Sequence, residues 1–293
     1  PNQIVHQIRF AGNLLTCVTH SAKAGQGMNV SMQDSFNLGW KLGHVLTGLA
    51  PESLLQTYTA ERQEIAQNLI DFDRQWSSIM AAKPGELEIP AEEFYVNTFE
   101  FPAGFMTQYK PSLIVGGDEH QDLAAGFPIG KRFKSRPVMR VSDANPLQLG
   151  HLHRADGRWR VYVFADGAAG NTPELEKWSD WWVGSEDSPA NAHTPAGEDK
   201  NALFDVKVIY QAPYTEVNLN DVPAAFKPVV GPFELVNLNE VFAAKEDDDI
   251  FDVRELSRDG VVVIVRPDQY VAHVLPLDAT QELADFFRPI FTV

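Results

Sequence analysis

The chain of 293 residues sets 24 lysines and arginines against 40 aspartates and glutamates, a net charge of −16 with histidine neutral, and this balance argues against nucleic acid and anionic membranes as partners. An apolar share of 44% suits a globular protein, no apolar run approaches the ~20 residues that cross a bilayer, and no secretory signal is visible at the start. The single cysteine, Cys17, excludes an internal disulfide framework and suits a reducing compartment, so the chain reads as cytoplasmic.

At this length one large or two ordinary domains are expected. The first distinctive string is Ala24-Gly25-Gln26-Gly27-Met28-Asn29, followed after Val30 by Ser31-Met32-Gln33-Asp34-Ser35-Phe36-Asn37-Leu38-Gly39-Trp40-Lys41-Leu42. Two glycines let a backbone approach a ligand closely. The N–H groups that open a helix lack intrahelical partners and carry partial positive charge. Such a loop can hold an electron-rich ring edge or an oxyanion by backbone alone. Ser31 with Asp34 resembles a capping box, and Met32, Phe36, Trp40, Val45 and Leu49 fall on one helical stripe. Gly39 and Gly43 share a face, where a neighbouring backbone is expected to pack closely. Gly48 and Pro51 mark a stop and a new start. A second helix is expected over 52–80, with Leu55, Tyr58, Ile65, Leu69, Phe72 and Trp76 at helical spacing. Residues 84–90 read as a linker. A further helix from Ala91 ends by Pro102, with a helical turn resuming through Tyr109.

Composition changes over 115–128, where Gly116-Gly117-Asp118 and Gly126-Phe127-Pro128 are loop chemistry. Beyond it β signals dominate. Residues 159–165 and 203–210 read as strands, with a helix over 174–183 between them. Residues 260–265 and 270–275 form a hairpin over Arg266-Pro267-Asp268-Gln269, and a helix over 279–287 closes the chain. Strand, helix, strand, hairpin and helix is the order of a thioredoxin-like layer. The expected fold class is therefore α+β or α/β: a helical part over 1–115, then a thioredoxin-like domain over 116–293. A dithiol enzyme of that fold needs Cys-x-x-Cys after the first central strand. Here the position reads Ala165-Asp166-Gly167-Ala168-Ala169-Gly170, so that redox route is excluded and packing remains.

The string from Ala24 to Leu42 resembles the second flavin-contact motif of the FAD-dependent aromatic hydroxylases, specifically the phenol 2-monooxygenase branch (phenol hydroxylases). The resemblance continues through Tyr58-Thr59-Ala60-Glu61-Arg62. It returns at Val262-Val263-Ile264-Val265-Arg266-Pro267-Asp268-Gln269-Tyr270-Val271-Ala272, which resembles the end of the family's thioredoxin-like C-terminal domain. It covers about Cys17 to Val293. It implies FAD as cofactor, NADPH as reductant, O₂-dependent ortho-hydroxylation of a phenolic small molecule, and a homodimer formed through the C-terminal domain. It also implies that Gln26, Gly27, Met28 and Asn29 contact the flavin at its N1–C2=O edge, with Asp34 and Asn37 in structural support. The departures are local. The Gly-x-Gly-x-x-Gly unit that grips the FAD pyrophosphate is absent. The family's Gly-Asp pair before the loop is replaced by Leu14-Leu15, or by Gly12-Asn13 after a slip of two. The family's His-x-His-Ser-Pro-Lys reads Val18-Thr19-His20-Ser21-Ala22-Lys23. The resemblance thus implies a C-terminal portion, with residues 1–16 either divergent or the edge of a truncated product, and with the family's catalytic residues upstream, so the catalytic residues are unknown. The rival is a non-catalytic association module that has lost FAD binding; a third reading is a small-ligand binder that uses the vacated flavin groove.

Other candidates have bland readings. His151-x-His153 could present two metal ligands from one strand face, but no cysteine completes a site, and no metal site is expected. The run Glu246-Asp247-Asp248-Asp249 lacks the spacing of a calcium loop and reads as a solvated acidic loop. Ser185, Asp187 and His193 are neighbours along a loop, which does not make a triad. Trp178, Trp181 and Trp182 read as core packing, with an interface anchor as the alternative.

Overall fold

The computed structural model describes residues 27–82, 91–98, 100, 105–167 and 170–292. Helix α1 (Gly27–Leu46) and helix α2 (Leu54–Ala81) are joined by a turn in which Gly48 takes φ +79°. Glycine enters that left-handed region without a steric cost, and the turn lets the Leu49 N–H donate back to the His44 carbonyl at 2.8 Å. Helix α1 opens four residues before Ser31, so Ser31 lies inside it and the expected capping box does not form.

The inward stripe of α1 is Val30, Asp34, Asn37, Trp40, Lys41, His44 and Val45. It is more polar than the apolar pattern suggests; Met32, expected inside, is exposed. A Cβ added at Gly39 or Gly43 would meet nothing within 4 Å, so among the described residues no backbone packs there. Helix α2 buries Leu54, Leu55, Tyr58, Ile65 and Leu69. Farther along, Phe72 and Trp76 stack on Phe94 of helix α3 (Ala91–Thr98) at 5.8 and 6.0 Å. The helical turn expected to lead through Tyr109 is absent: residues 105–110 are irregular, and the Tyr109 N–H donates to the Gly130 carbonyl at 2.9 Å. The linker over 84–90 and most of the helix end expected by Pro102 lie outside the described residues.

The remainder is built on a mixed seven-stranded sheet. Its strands are β1 (Pro137–Arg140), β2 (Asn145–Gln148), β3 (Trp159–Phe164), β4 (Phe204–Tyr210), β7 (Val241–Ala243), β8 (Val261–Val265) and β9 (Val271–Leu275), in the order β2-β1-β7-β4-β3-β8-β9. Strands β5 (Val229–Val230) and β6 (Leu235–Val236) form a separate two-stranded ribbon. Strand β3 runs parallel to β4, with Arg160 opposite Asp205 and Tyr162 opposite Lys207, and antiparallel to β8. Helices α4 (Pro173–Gly184) and α5 (Pro189–His193) lie between β3 and β4 in the chain. Helix α6 (Ile250–Val253) precedes the β8–β9 hairpin, and α7 (Thr280–Phe287) follows it.

Every residue of β3 and β4 is buried, as expected of strands covered on both faces. Trp159 packs edge-on against Phe286 and Phe287 of α7 at 6.1 and 5.2 Å. On the opposite face Tyr162 stacks on Phe133 and Phe164 tilts against Phe127. Trp40 of α1 meets Trp159 edge-on at 5.7 Å, and the Thr292 N–H donates to the Leu49 carbonyl. The helical pair and the sheet therefore share one core.

Candidate functional site

Of the four positions implied as flavin contacts, Gln26 lies outside the described residues. Gly27 opens α1, Met28 is 71% exposed and Asn29 is half-buried. No acidic side chain stands in the first turn of α1. The positive pole of a 20-residue helix is thus not compensated from within, and its backbone donors suit an electron-rich ring edge.

Below that end, the inward face of α1 carries charge into the core. Arg62 donates through Nε to Asp34 at 2.5 Å and through Nη1 to the Tyr109 hydroxyl at 2.9 Å. Asn37 sits at the centre. Its Nδ2 donates to Glu61 at 2.7 Å and to Asp268 at 3.2 Å, while its Oδ1 accepts from Lys41 Nζ at 2.8 Å. Lys41 also donates to Glu61 at 2.8 Å. Arg266 grips two carboxylates at once: Glu61 at 2.5 and 3.0 Å, and Asp268 at 2.9 and 2.6 Å. Its guanidinium also lies 5.0 Å from the Tyr109 ring centre and 5.7 Å from that of Tyr270. Three cations (Lys41, Arg62, Arg266) thus balance three anions (Asp34, Glu61, Asp268), all buried.

Burial alone would push the Glu61 carboxyl up, but Arg266 and Lys41 outweigh it and hold it at about 2. Burial draws the Lys41 ammonium down to about 8 against the pull of Glu61. Arg266 is also desolvated, and Asp268 and Glu61 more than offset this, so its guanidinium stays charged. Beside the cluster a groove of about 900 Å³ runs between α2 and residues 106–113, with Glu61 and Tyr109 among its lining.

The three stretches that carry the family resemblance meet in this cluster: 34–41 from α1, 58–62 from α2 and 266–270 from the β8–β9 turn. Residues 107–293 match the family model of the phenol hydroxylase C-terminal dimerisation domain. The chain belongs to the phenol hydroxylase family, which are FAD-dependent aromatic hydroxylases. Residues 16–73 match the model of an FAD binding domain. The 3-hydroxybenzoate 4-monooxygenase of Comamonas testosteroni is 44% identical over 300 residues, an alignment that covers 98% of this chain and 47% of that enzyme. A phenol 2-monooxygenase of Aspergillus fumigatus is 35% identical over 290 residues, covering 92% and 45% respectively. The chain spans about half the length of these curated relatives. The flavin-dependent monooxygenase PieE, solved with FAD and substrate, superimposes with a TM-score of 0.54 at 19% identity, over 91% of this chain and 45% of that one. Aklavinone-11 hydroxylase, solved with FAD and aklavinone, gives 0.54 at 17%, over 92% and 41%. At these identities the likeness is one of fold.

Outside the cluster, the other sequence candidates fall into structural roles. His151 lies within a 3₁₀ turn (Leu149–Leu152) and His153 follows at its end, rather than both on one face of a strand. His151 is exposed, and His153 is buried with neither ring nitrogen hydrogen-bonded. Asp249 of the acidic run caps α6 through the Phe251 N–H, and Asp248 pairs with Arg136. Ser185 ends α4 and Asp187 is exposed, while His193 is buried against Phe291. Trp178 and Trp182 are buried and stacked at 5.2 Å. Glu61, Arg62 and Arg266 lie in the quoted motifs but attract no site role there. The signal that reveals them is charge without an outlet: Arg266-Pro267-Asp268 lies between two buried five-residue strands whose one polar side chain is His273, and a buried ion must find a partner.

Proposed function

We propose that this chain forms the part of an aromatic hydroxylase that receives the pyrimidine edge of FAD at the start of α1 and braces that helix from a C-terminal association domain. The observation that carries this reading is the buried cluster in which Asn37 and Lys41 of α1 meet Glu61 of α2 and Arg266 and Asp268 of the β8–β9 turn. Gln26, Gly27, Met28 and Asn29 are the proposed flavin contacts. FAD, the family's cofactor, supplies when bound the oxygen chemistry, with NADPH, the family's usual reductant, as electron source. The chain's own part is electrostatic and positional. The positive end of α1 would favour an electron-rich ring edge held there, and the ion cluster orients that end.

For the whole protein the proposed reaction is ortho-hydroxylation of a phenolic substrate. The proposed division is 1–115 for the flavin and substrate part and 116–293 for a thioredoxin-like domain. The order β4-β3-β8-β9, with β3 and β4 parallel and β8 and β9 antiparallel, supports that fold. With no Cys-x-x-Cys in the sequence, the domain serves association as a homodimer.

Titration of the chain with FAD, followed by flavin fluorescence, tests the reading. Met28→Glu adds a carboxylate to the first turn, which favours the helix by ~0.3–1 kcal/mol but repels an electron-rich ring. FAD binding is expected to weaken about tenfold, equivalent to about 1.4 kcal/mol, with the far-UV circular dichroism unchanged. Equal affinity in both proteins, or no saturable binding by the wild-type chain, overturns it.

A further inference from the structure

Among the described residues of 107–292 six large apolar side chains are exposed, and five of them gather at one place. Val229 and Val236 face each other across the β5–β6 ribbon, 51% and 56% exposed. Leu235 is 64% exposed, and Phe233, in the turn that closes the ribbon, is 84% exposed. The fifth, Val183, lies with Val229 on the wall of a cavity of about 280 Å³. Single exposed apolar residues are ordinary; four on one short ribbon beside a cavity are not.

The ribbon is built to hold its tip outward. Gly231 and Glu234 both take positive φ, +72° and +50°. The Gly231 N–H donates to Asp199 at 2.9 Å, and the Asn237 N–H donates to the Pro228 carbonyl at the base. The cavity is walled by Trp182, Ala190, Phe204 and Val206 and carries Lys200 and Lys227 among its lining. An apolar cavity of about 150 Å³ accepts a benzene ring, so this one has room for a phenyl group.

We infer that the β5–β6 ribbon is a dimerisation arm, with Phe233 of each copy seated in the cavity beside the ribbon of the other. The inference rests on the homodimer proposed above and names its surface. A second copy is the occupant because the region that carries arm and cavity matches a dimerisation domain. Arm and cavity on one chain also satisfy the self-complementarity that a two-fold interface demands. The cavity lining sets Lys200 and Lys227 against Asp205 and Glu240, so charge neither favours nor opposes the docking of an apolar ring. The anchored aromatic would be the hot spot of a larger contact.

Sedimentation velocity on the wild-type chain and on Phe233→Asp/Leu235→Asp tests this. The wild type should sediment as a dimer. The variant should be monomeric, its dimer dissociation constant raised at least about a hundredfold because symmetry repeats each lost contact, with unchanged circular dichroism. A wild-type monomer at all concentrations removes both the homodimer and the arm. A dimeric variant removes the arm and leaves the homodimer. Should the variant misfold, chains carrying Cys17→Ser with Phe233→Cys and chains carrying Cys17→Ser with Val183→Cys are mixed and treated with a short bismaleimide. A covalent heterodimer in the mixture, absent from Val183→Cys alone, supports the arm; its absence overturns it.

Discussion

Glu61→Gln removes the central anion of the buried cluster. The wild-type carboxyl is held at about 2 against an ordinary 4.5. At about 1.4 kcal/mol per pH unit, that difference is worth about 3 kcal/mol of stability. The folded value lies below the unfolded one, so between pH 4.5 and about 2 the unfolded chain takes up a proton that the folded chain refuses. The contribution is therefore complete above pH 4.5 and lost as pH falls toward 2. A loss of that size matches the ~3–5 kcal/mol lost when one partner of a buried pair is removed. Gln keeps the shape of Glu61 and one accepting oxygen, but its N–H₂ group replaces an oxygen that accepts from Arg266, Lys41 or Asn37, so a lost acceptor accompanies the lost charge and the pH dependence tells the two apart. Urea unfolding followed by tryptophan fluorescence from pH 7 to pH 2.5 measures the difference between the two proteins. The variant should be about 3 kcal/mol less stable at pH 7, and the gap should close as acid protonates the wild type. A gap of the same size at pH 3 and pH 7, or none at pH 7, refutes the reasoning.

Gly130→Ala should destabilise the chain by more than the ~1–2 kcal/mol of a left-handed backbone alone, because φ is +80° and the new Cβ would stand 2.1 Å from the Tyr109 carbonyl oxygen; thermal unfolding checks it, and a variant as stable as wild type counts against this backbone geometry. His153→Phe should make the chain more resistant to acid. Burial, aided by Arg160, holds the imidazole down at about 3, so from pH 6.5 to about 3 the unfolded state alone binds the proton and stability falls as pH falls. The phenyl ring removes that loss, and unfolding midpoints at pH 7 and pH 4 should lie closer together than in the wild type.

Strands β3 and β4, the β8–β9 hairpin and helices α4 and α7 are legible in the sequence because each combines an unbroken periodic pattern with a turn or cap at its ends. Thr172 accepts from the Leu175 N–H, for example, just before Pro173 opens α4. Strands β1, β2 and β7 are not legible. They are three or four residues long, β1 is mostly half-buried, β2 is half-buried to exposed, and Pro146 stands within β2, so pairing rather than propensity makes them strands. The inward face of α1 misleads for a different reason. Hydrophobic periodicity assumes that buried means apolar, whereas Asp34, Asn37 and Lys41 are buried because their partners lie on other elements. Asp34 and Asn37 can be singled out within their motif, but Glu61 and Arg266 stand 205 residues apart, and only the fold brings them together.

The use of ions rather than aliphatic side chains beneath α1 has a physical consequence for the helix end. Burying six charges costs desolvation that a hydrophobic contact of similar volume would avoid, so the cluster is a poor device for stability alone. What it supplies is register. An aliphatic seam tolerates small slides, but Arg266 can satisfy Glu61 and Asp268 together in one geometry, and Asn37 must then present Nδ2 to both carboxylates while Lys41 fills its Oδ1. A shift of one residue in α1 would strand Asn37 and Lys41 and leave Glu61 half-paired inside the core. The rotation and height of α1, and with them the direction of its open end at Gly27, are therefore set from the β8–β9 turn. The C-terminal sheet is in this sense part of the helix's foundation, through charges that only one arrangement can satisfy.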